Sequence, residues 1–319
     1  MNKLIAIVAG EPNSINSEII AKSLKLKKRK KNIFIIGNHS ILKNQINKLG
    51  IKIQIVKITD LKDFKKQEKI FVLDVPIKSK SKYNLNLLET KAYIFNSLNM
   101  AHRMASKKII KGFINAPVDK KIFSNRYLGV TEYLSSKNKI KNKEVMLIYN
   151  KELSVVPLTT HIEIKKVTSR ITFNLIMTKI LTLNNFYSKL FKTKPKIAIL
   201  GLNPHNSENR YNSIENRIIS KAIKRLKKIK IDIEGPFPAD TAFNKKNRVT
   251  YDVIVGMYHD QVLAPFKALY GYDAINLTLG LKYLRLSPDH GTAKDIAGLN
   301  RANPQSLISA INFLNKTND

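Results

Sequence analysis

The chain has 319 residues, 43% of them apolar and 25% charged, enough for a large core in one or two domains and too apolar for a disordered chain. It has no cysteine, which excludes a disulfide scaffold, a zinc ribbon, an iron–sulfur cluster and a thiol nucleophile. The 57 Lys+Arg against 23 Asp+Glu give a formal charge of +34, a balance that suits a polyanionic partner such as nucleic acid. Distribution argues otherwise. Outside the run Lys25 to Lys31 the lysines are scattered in pairs with no interleaved aromatics, as compositional drift towards Lys, Asn and Ile would leave them. A phosphorylated or carboxylated small substrate would still profit from the positive field.

The first apolar run, 3–9, is too short to cross a membrane and meets Gly10 and Pro12 at once, as a buried strand and its turn do. A helix is predicted over 17–28, strands over 32–37, 52–56 and 69–73, and a long helix over 87–106. Strands follow over 112–115, 144–149 and 153–158, then a helix over 164–181, a strand over 196–201 and a helix over 214–227. Strands over 253–256 and 274–277 and a helix over 305–314 close the series. This alternation predicts an α/β fold whose sheets are covered on both faces. No run is long enough to span a membrane, so the expectation is a cytoplasmic protein with no membrane partner.

Four predicted strands end in conspicuous polar residues: Asn115-Ala116-Pro117, Thr159-Thr160-His161, Asn203-Pro204-His205 and Tyr258-His259-Asp260. Ligands of open α/β sheets bind at the carboxyl ends of strands, so four polar loops in one topological position predict a site. Three of the six histidines, His161, His205 and His259, stand there; His39 and His102 read as surface residues. Two readings are open for the three. Each can serve its own turn, or together they can hold a divalent metal with open positions for substrate oxygens.

Near the end, residues 289–304 read DHGTAKDIAGLNRANP. This string resembles the adenine-binding loop of the metal-dependent β-decarboxylating dehydrogenases, the isocitrate and isopropylmalate dehydrogenase superfamily. On that reading His290, Gly291, Thr292, Ala293 and Asn303 bind the cofactor. His290 would meet the adenine, Gly291 would allow close backbone approach, and the Asn303 amide would read the base edge. The same residues would also serve helix starts at Thr292 and Pro304. No G-x-G-x-x-G follows a predicted strand, so a nicotinamide would bind in the non-Rossmann manner of that superfamily.

Taken in order, Gly10-Glu11-Pro12, Asn115 to Lys120, Gly129-Val130-Thr131-Glu132, Thr159-Thr160-His161 and Gly201 to His205 resemble the PdxA family. So do Gly235 to Thr241, Met257 to Gln261, Asn276 to Leu281 and Asp289 to Ala293. These are the 4-hydroxythreonine-4-phosphate dehydrogenases of vitamin B6 biosynthesis. The resemblance implies an isocitrate/isopropylmalate dehydrogenase-like fold of two α/β/α domains with a cleft, 1–128 plus 290–319 and 129–289. It implies a homodimer with shared sites, NAD or NADP, and a divalent metal (zinc, or magnesium or cobalt) on His161, His205 and His259. It also implies substrate binding by Thr131, Lys267, Asn276 and Arg285, where lysine and arginine suit phosphate and carboxylate. The implied reaction oxidises the C3 hydroxyl of 4-phosphooxy-L-threonine to a 3-oxo acid that decarboxylates to 3-amino-2-oxopropyl phosphate. Asp240 and Asp260 are candidates for the base, and both also suit helix caps. Two departures stand out: Val130 replaces the family's histidine, and residues 13–17 (NSINS) lack its glycines. The alternatives are a dehydrogenase of a four-carbon sugar-acid phosphate and a basic nucleic-acid-binding protein.

Overall fold

The computed structural model describes residues 3–26, 32–65, 69–77, 85–140 and 142–317, so that Lys27 to Lys31 of the basic run lie outside the described residues. The strands are β1 (Leu4–Val8), β2 (Ile33–Gly37), β3 (Ile55–Ile58), β4 (Ile70–Asp74), β5 (Ile110–Asn115) and β6 (Val145–Tyr149). They continue with β7 (Ser154–Thr159), β8 (Ile197–Leu200), β9 (Ile233–Phe237), β10 (Val253–Tyr258), β11 (Ile275–Leu279) and β12 (Leu284–Pro288). The helices are α1 (Asn16–Leu26), α2 (His39–Lys48), α3 (Leu87–Ser106), α4 (Val130–Lys137), α5 (Val167–Arg170) and α6 (Phe173–Phe191). After them come α7 (Lys221–Lys228), α8 (Ala239–Ala242), α9 (Lys245–Arg248), α10 (His259–Tyr270) and α11 (Gln305–Lys316).

The chain forms two compact units, residues 1–138 with 281–319, and residues 139–280. In the first unit the strands run β3-β4-β2-β1-β5-β12, all parallel. β1 and β2 bury nearly every residue, as a parallel sheet covered by helices requires. Helix α3 packs on β1, β2 and β5, and α11 on β5 and β12. The chain moves outward from β1 to one side of the sheet and returns to β5 on the other. The carboxyl ends of β1 and β5 therefore flank a topological switch point. The units divide at 138/139 and 280/281 rather than at 128/129 and 289/290. The reason is pairing: β12 pairs with β5 (Leu284 with Gly112, Arg285 with Phe113), and the amide of Asn138, which caps α4, donates to the Tyr283 hydroxyl at 3.1 Å.

In the second unit the order is β11-β6-β7-β10-β8-β9, with β11/β6 and β6/β7 antiparallel and the rest parallel. The central strand β10 lies between β7 and β8, so the loops after β7, β10 and β8 leave the sheet side by side at its carboxyl edge. Ile148, Val155, Ala198, Ile254, Val262 and Phe266 are buried in one core beneath them.

Several elements differ from the sequence expectation. The helix expected over 164–181 is a short turn, then α5, then α6, because the Thr172 hydroxyl caps a new helix at Leu175 N (3.1 Å) and α6 runs on to Phe191. Strand β3 sits at 55–58 rather than 52–56, in register with β4. Helices α2, α4 and α10 and strands β9 and β12 fall where no element was expected. His102, expected at the surface, is half-buried and shares a hydrogen bond with the Tyr283 hydroxyl at 2.8 Å. Among the described residues, no helix is long and apolar enough to cross a membrane.

Candidate active site

The second unit carries the three histidines on three neighbouring strand ends, and hydrogen bonds lace these ends together. Thr159 Oγ1, at the end of β7, donates to Met257 O of β10 at 2.7 Å. Gln261, in the first turn of α10, accepts from Met257 N and donates to Gly201 O after β8, both at 2.7 Å. The Gln of the Met-Tyr-His-Asp-Gln string is therefore a staple between two loops. His161 and His259 come together, ring centroids 5.6 Å apart and tilted by 39°. They line a cavity of about 200 Å³ with Thr159, Ile162, Tyr258 and Asp260. His259 Nδ1 lies 2.6 Å from Asp260 Oδ1, a contact that orients the ring and favours the tautomer with the proton on Nδ1.

His205 is exposed on the loop after β8, outside the lining of that cavity. Among the described residues, no group of three or more His, Cys, Asp or Glu is close enough to hold a metal ion. Of the three imidazoles expected to meet, two are gathered and the third stands apart on the loop after the neighbouring strand, so the three are donors of a type that binds divalent cations but do not form one cluster in this structure. That loop is unusual. His205, Asn206, Ser207, Glu208 and Asn209 all have left-handed backbone, φ 48–56°. Left-handed helical conformation costs an L-residue roughly 1–2 kcal/mol, so such a run needs strong local support.

The support comes from Glu215, which is 1% exposed. Its Oε1 accepts from Leu202 N (3.1 Å), Asn203 N (2.9 Å) and Asn203 Nδ2 (3.1 Å), and its Oε2 from Ser207 Oγ (2.9 Å). Burial by itself would raise this carboxyl, but the hydrogen bonds from Asn203, from its own backbone N–H and from Ser207 outweigh it and hold it below 4.5. Sequence reading missed Glu215; the available signal was an acidic residue at the start of a basic amphipathic stretch. Of the base candidates, Asp260 is engaged with His259, and Asp240 is exposed in the first turn of α8, away from the cavity lining. Lys267 is half-buried near the end of α10, and Asn276, on β11, holds a buried side-chain oxygen with no hydrogen-bond partner. Such an oxygen suits a ligand's donor.

In the first unit Arg285 and Thr131 come together. The Arg285 guanidinium is 3% exposed, donates from Nε to Asn115 Oδ1 at 2.6 Å and from Nη1 to Thr131 Oγ1 at 3.1 Å. Burial lowers its pKa to about 10, opposed by the charge of Glu132, so it stays cationic at neutral pH. Val130 opens α4 beside this cluster.

The 289–304 loop folds over α1 and the carboxyl ends of β1 and β5. Thr292 O accepts from Ile15 N at 3.2 Å, and Lys294 pairs with Asp119 at 2.7 Å. Ala302 N donates to the buried Glu18 carboxylate at 2.6 Å. His290 is half-buried, Gly291 is exposed, Ala293 has φ 41°, and a short turn occupies Lys294–Ile296. The Asn303 side chain accepts from Gln305 N at 2.8 Å, the helix-start role weighed against base recognition. The glycine-poor segment 13–17 needs no left-handed residue: the positive φ falls on Gly10, and Ser14 Oγ (2.6 Å) and Asn16 Nδ2 (3.2 Å) donate to Glu11 O.

With this geometry in place, comparison decides the family: residues 29–314 match the family model of the pyridoxal phosphate biosynthetic protein PdxA. The chain belongs to the PdxA family. A curated relative, the 4-hydroxythreonine-4-phosphate dehydrogenase of Sulfurihydrogenibium sp. (strain YO3AOP1), is 39% identical over 318 residues, covering 96% of both chains. The D-threonate 4-phosphate dehydrogenase of Pectobacterium atrosepticum is 30% identical over 98% of both. The crystal structure of 4-hydroxythreonine-4-phosphate dehydrogenase from Klebsiella pneumoniae matches with a TM-score of 0.86 at 28% identity over 98% of both chains. PdxA membership places the polar strand ends of this chain on the scaffold of a dehydrogenase family.

Proposed function

We propose that this chain oxidises the C3 hydroxyl of 4-hydroxythreonine 4-phosphate, coupled to reduction of NAD or NADP, and that the resulting 3-oxo acid loses carbon dioxide to give 3-amino-2-oxopropyl phosphate. The observation that carries the proposal is the set of adjacent strand ends β7, β10 and β8, each followed by a histidine and laced by Thr159 and Gln261. His161 and His259 would hold a divalent cation together with His205. When bound, such a cation supplies Lewis-acid polarisation of a hydroxyl or carbonyl. Asp260 keeps the His259 imidazole in one tautomer with Nε2 available. Arg285, steadied by Asn115, and Thr131 would bind the anionic and hydroxyl groups of the substrate. Lys267 would add a mobile positive charge, and Asn276 Oδ1 an acceptor for a substrate donor. His290, Gly291, Thr292 and Ala293 would meet the dinucleotide.

The test is NAD(P)H formation from 4-hydroxythreonine 4-phosphate before and after chelation, with cobalt or zinc restored, and in His205→Ala. Loss on chelation, recovery with metal and inactivity of the variant are expected. Undiminished turnover in chelated enzyme and in His205→Ala overturns the metal assignment. A second reading, threonate 4-phosphate as substrate, is raised by the relative that bears that activity in its name. Comparing the two substrates in wild type and Val130→His separates the readings, since the histidine should raise turnover of the true substrate selectively.

A further inference from the structure

We propose that Glu18 and Lys22, a charged pair on α1, are positioning residues for the dinucleotide: they hold residues 300–302 of the 289–304 loop in the conformation that binds it. The inference rests on the reading above that this loop meets the dinucleotide. The geometry is specific. Lys22 Nζ donates to Glu18 Oε1 at 2.7 Å, to Asn300 O at 3.0 Å and to Ala302 O at 3.0 Å. An ammonium has three donors, so these bonds use all of them and leave none for a phosphate of the ligand. Glu18, 1% exposed, accepts from Ala302 N on the same oxygen at 2.6 Å, and its other oxygen is buried as well. One ion pair thus meets both backbone polar groups of Ala302 and the carbonyl two residues before it. It can act on a ligand only through the loop.

The loop needs such a hold. Ala293 on its first arm (φ 41°) and Asn300 on its second (φ 59°) have left-handed backbone, which L-residues adopt only at a cost. The start of α1 meets both arms. Ile15 N donates to Thr292 O at 3.2 Å on the first, and beside the ion pair Ser23 Oγ donates to Pro304 O at 3.4 Å on the second. The first arm is open to a ligand: Gly291 is exposed, and no atom lies within 4 Å of where its Cβ would stand. Stability alone does not account for the pair, because the cost of desolvating a buried ion pair offsets most of its attraction. Selection of one loop conformation does, and a loop already in its binding conformation binds more tightly.

The experiment is a titration with NADH, and again with NADPH, followed by the fluorescence of the nucleotide without turnover, alongside thermal unfolding. In Glu18→Gln the side-chain oxygen still accepts from Ala302 N and Lys22 keeps its two carbonyls, so most of the affinity should remain. Adding Lys22→Met releases Asn300 O and Ala302 O without stranding a buried charge. A loop that then occupies its binding conformation about a tenth of the time binds about tenfold more weakly, and that loss is expected with Tm close to that of Glu18→Gln. Amide exchange at Ala302 should quicken in the same double variant. Lys22→Arg, which keeps the cation and its donors, should retain most of the affinity. Unchanged affinity in the double variant overturns the proposal, as does a loss that only follows a general fall in Tm. Should the double variant fail to fold, Lys22→Gln is measured in its place with the same criteria. Gly291→Leu, whose side chain would enter open space, tests the reading beneath: a wild type that binds neither nucleotide, or binding that survives Gly291→Leu, overturns the loop reading and the inference together. Binding lost in Gly291→Leu but unchanged in the double variant overturns the inference alone.

Discussion

Replacing Arg285 by methionine should separate folding from substrate binding. The guanidinium donates charge-assisted bonds to Asn115 at 2.6 Å and to Thr131 at 3.1 Å, and the residue is 3% exposed. Each bond contributes about 1.5–3 kcal/mol, while burying the ion costs several kcal/mol that methionine does not incur. The two nearly cancel. What remains is the Asn115 Oδ1 left without a donor, about 1–3 kcal/mol, since the Thr131 hydroxyl can rotate to another partner. Binding has no such compensation, because removing one partner of a buried hydrogen-bonded charge pair costs about 2–5 kcal/mol, roughly 30-fold to a few thousand-fold in affinity. Thermal unfolding and substrate titration of Arg285→Met should therefore show a modest loss of Tm and a large loss of affinity, with Arg285→Lys between the two. Substrate affinity within twofold of wild type would refute the reasoning, since a buried arginine that binds nothing is then purely structural.

Two further outcomes are expected. Burial pushes the Glu11 carboxyl above its ordinary 4.5, with the Lys294 charge and the Asp119 backbone N–H pulling the other way. A raised folded pKa contributes stability below 4.5 that is lost as pH rises through the folded value, so Glu11→Gln should raise Tm near neutral pH and lose that advantage at about pH 4. A Tm difference independent of pH refutes this. In Gly112→Ala the new methyl would meet Leu284 O at 2.5 Å and Leu284 Cβ at 2.9 Å, prying β12 from β5. Overpacking against backbone should cost about 1–3 kcal/mol in denaturant unfolding and loosen substrate binding at Arg285, and an unchanged unfolding midpoint would contradict it.

The α/β class, most strands and the polar strand ends were legible in the sequence because buried parallel strands are short continuous apolar runs that break sharply into their loops. β1, β2 and β10 illustrate this. The edge strand β3 is half-exposed and lacks that signature, so only its register with β4 locates it. Helix α2 buries only Leu42 and Ile46, too little apolar periodicity to see, although Asn38 caps it. Helix α10 was hidden by Pro265, which local propensity reads as a helix end but the packing of α10 on β7 and β10 tolerates.

The residue types of the candidate site were legible in the motifs: three imidazoles just after strands, a lysine on α10, and an arginine and an amide near the starts of β12 and β11. Which of them meet was decided by strand order. Placing β10 between β7 and β8 joins His161 to His259, and pairing β12 with β5 joins Arg285 to Asn115, residues far apart along the chain. The left-handed turn and its Glu215 clamp belong wholly to tertiary structure. Local propensity disfavours five such residues in a row, and bonds to groups outside the turn, the Glu215 carboxylate and Pro236 O of β9, hold them there.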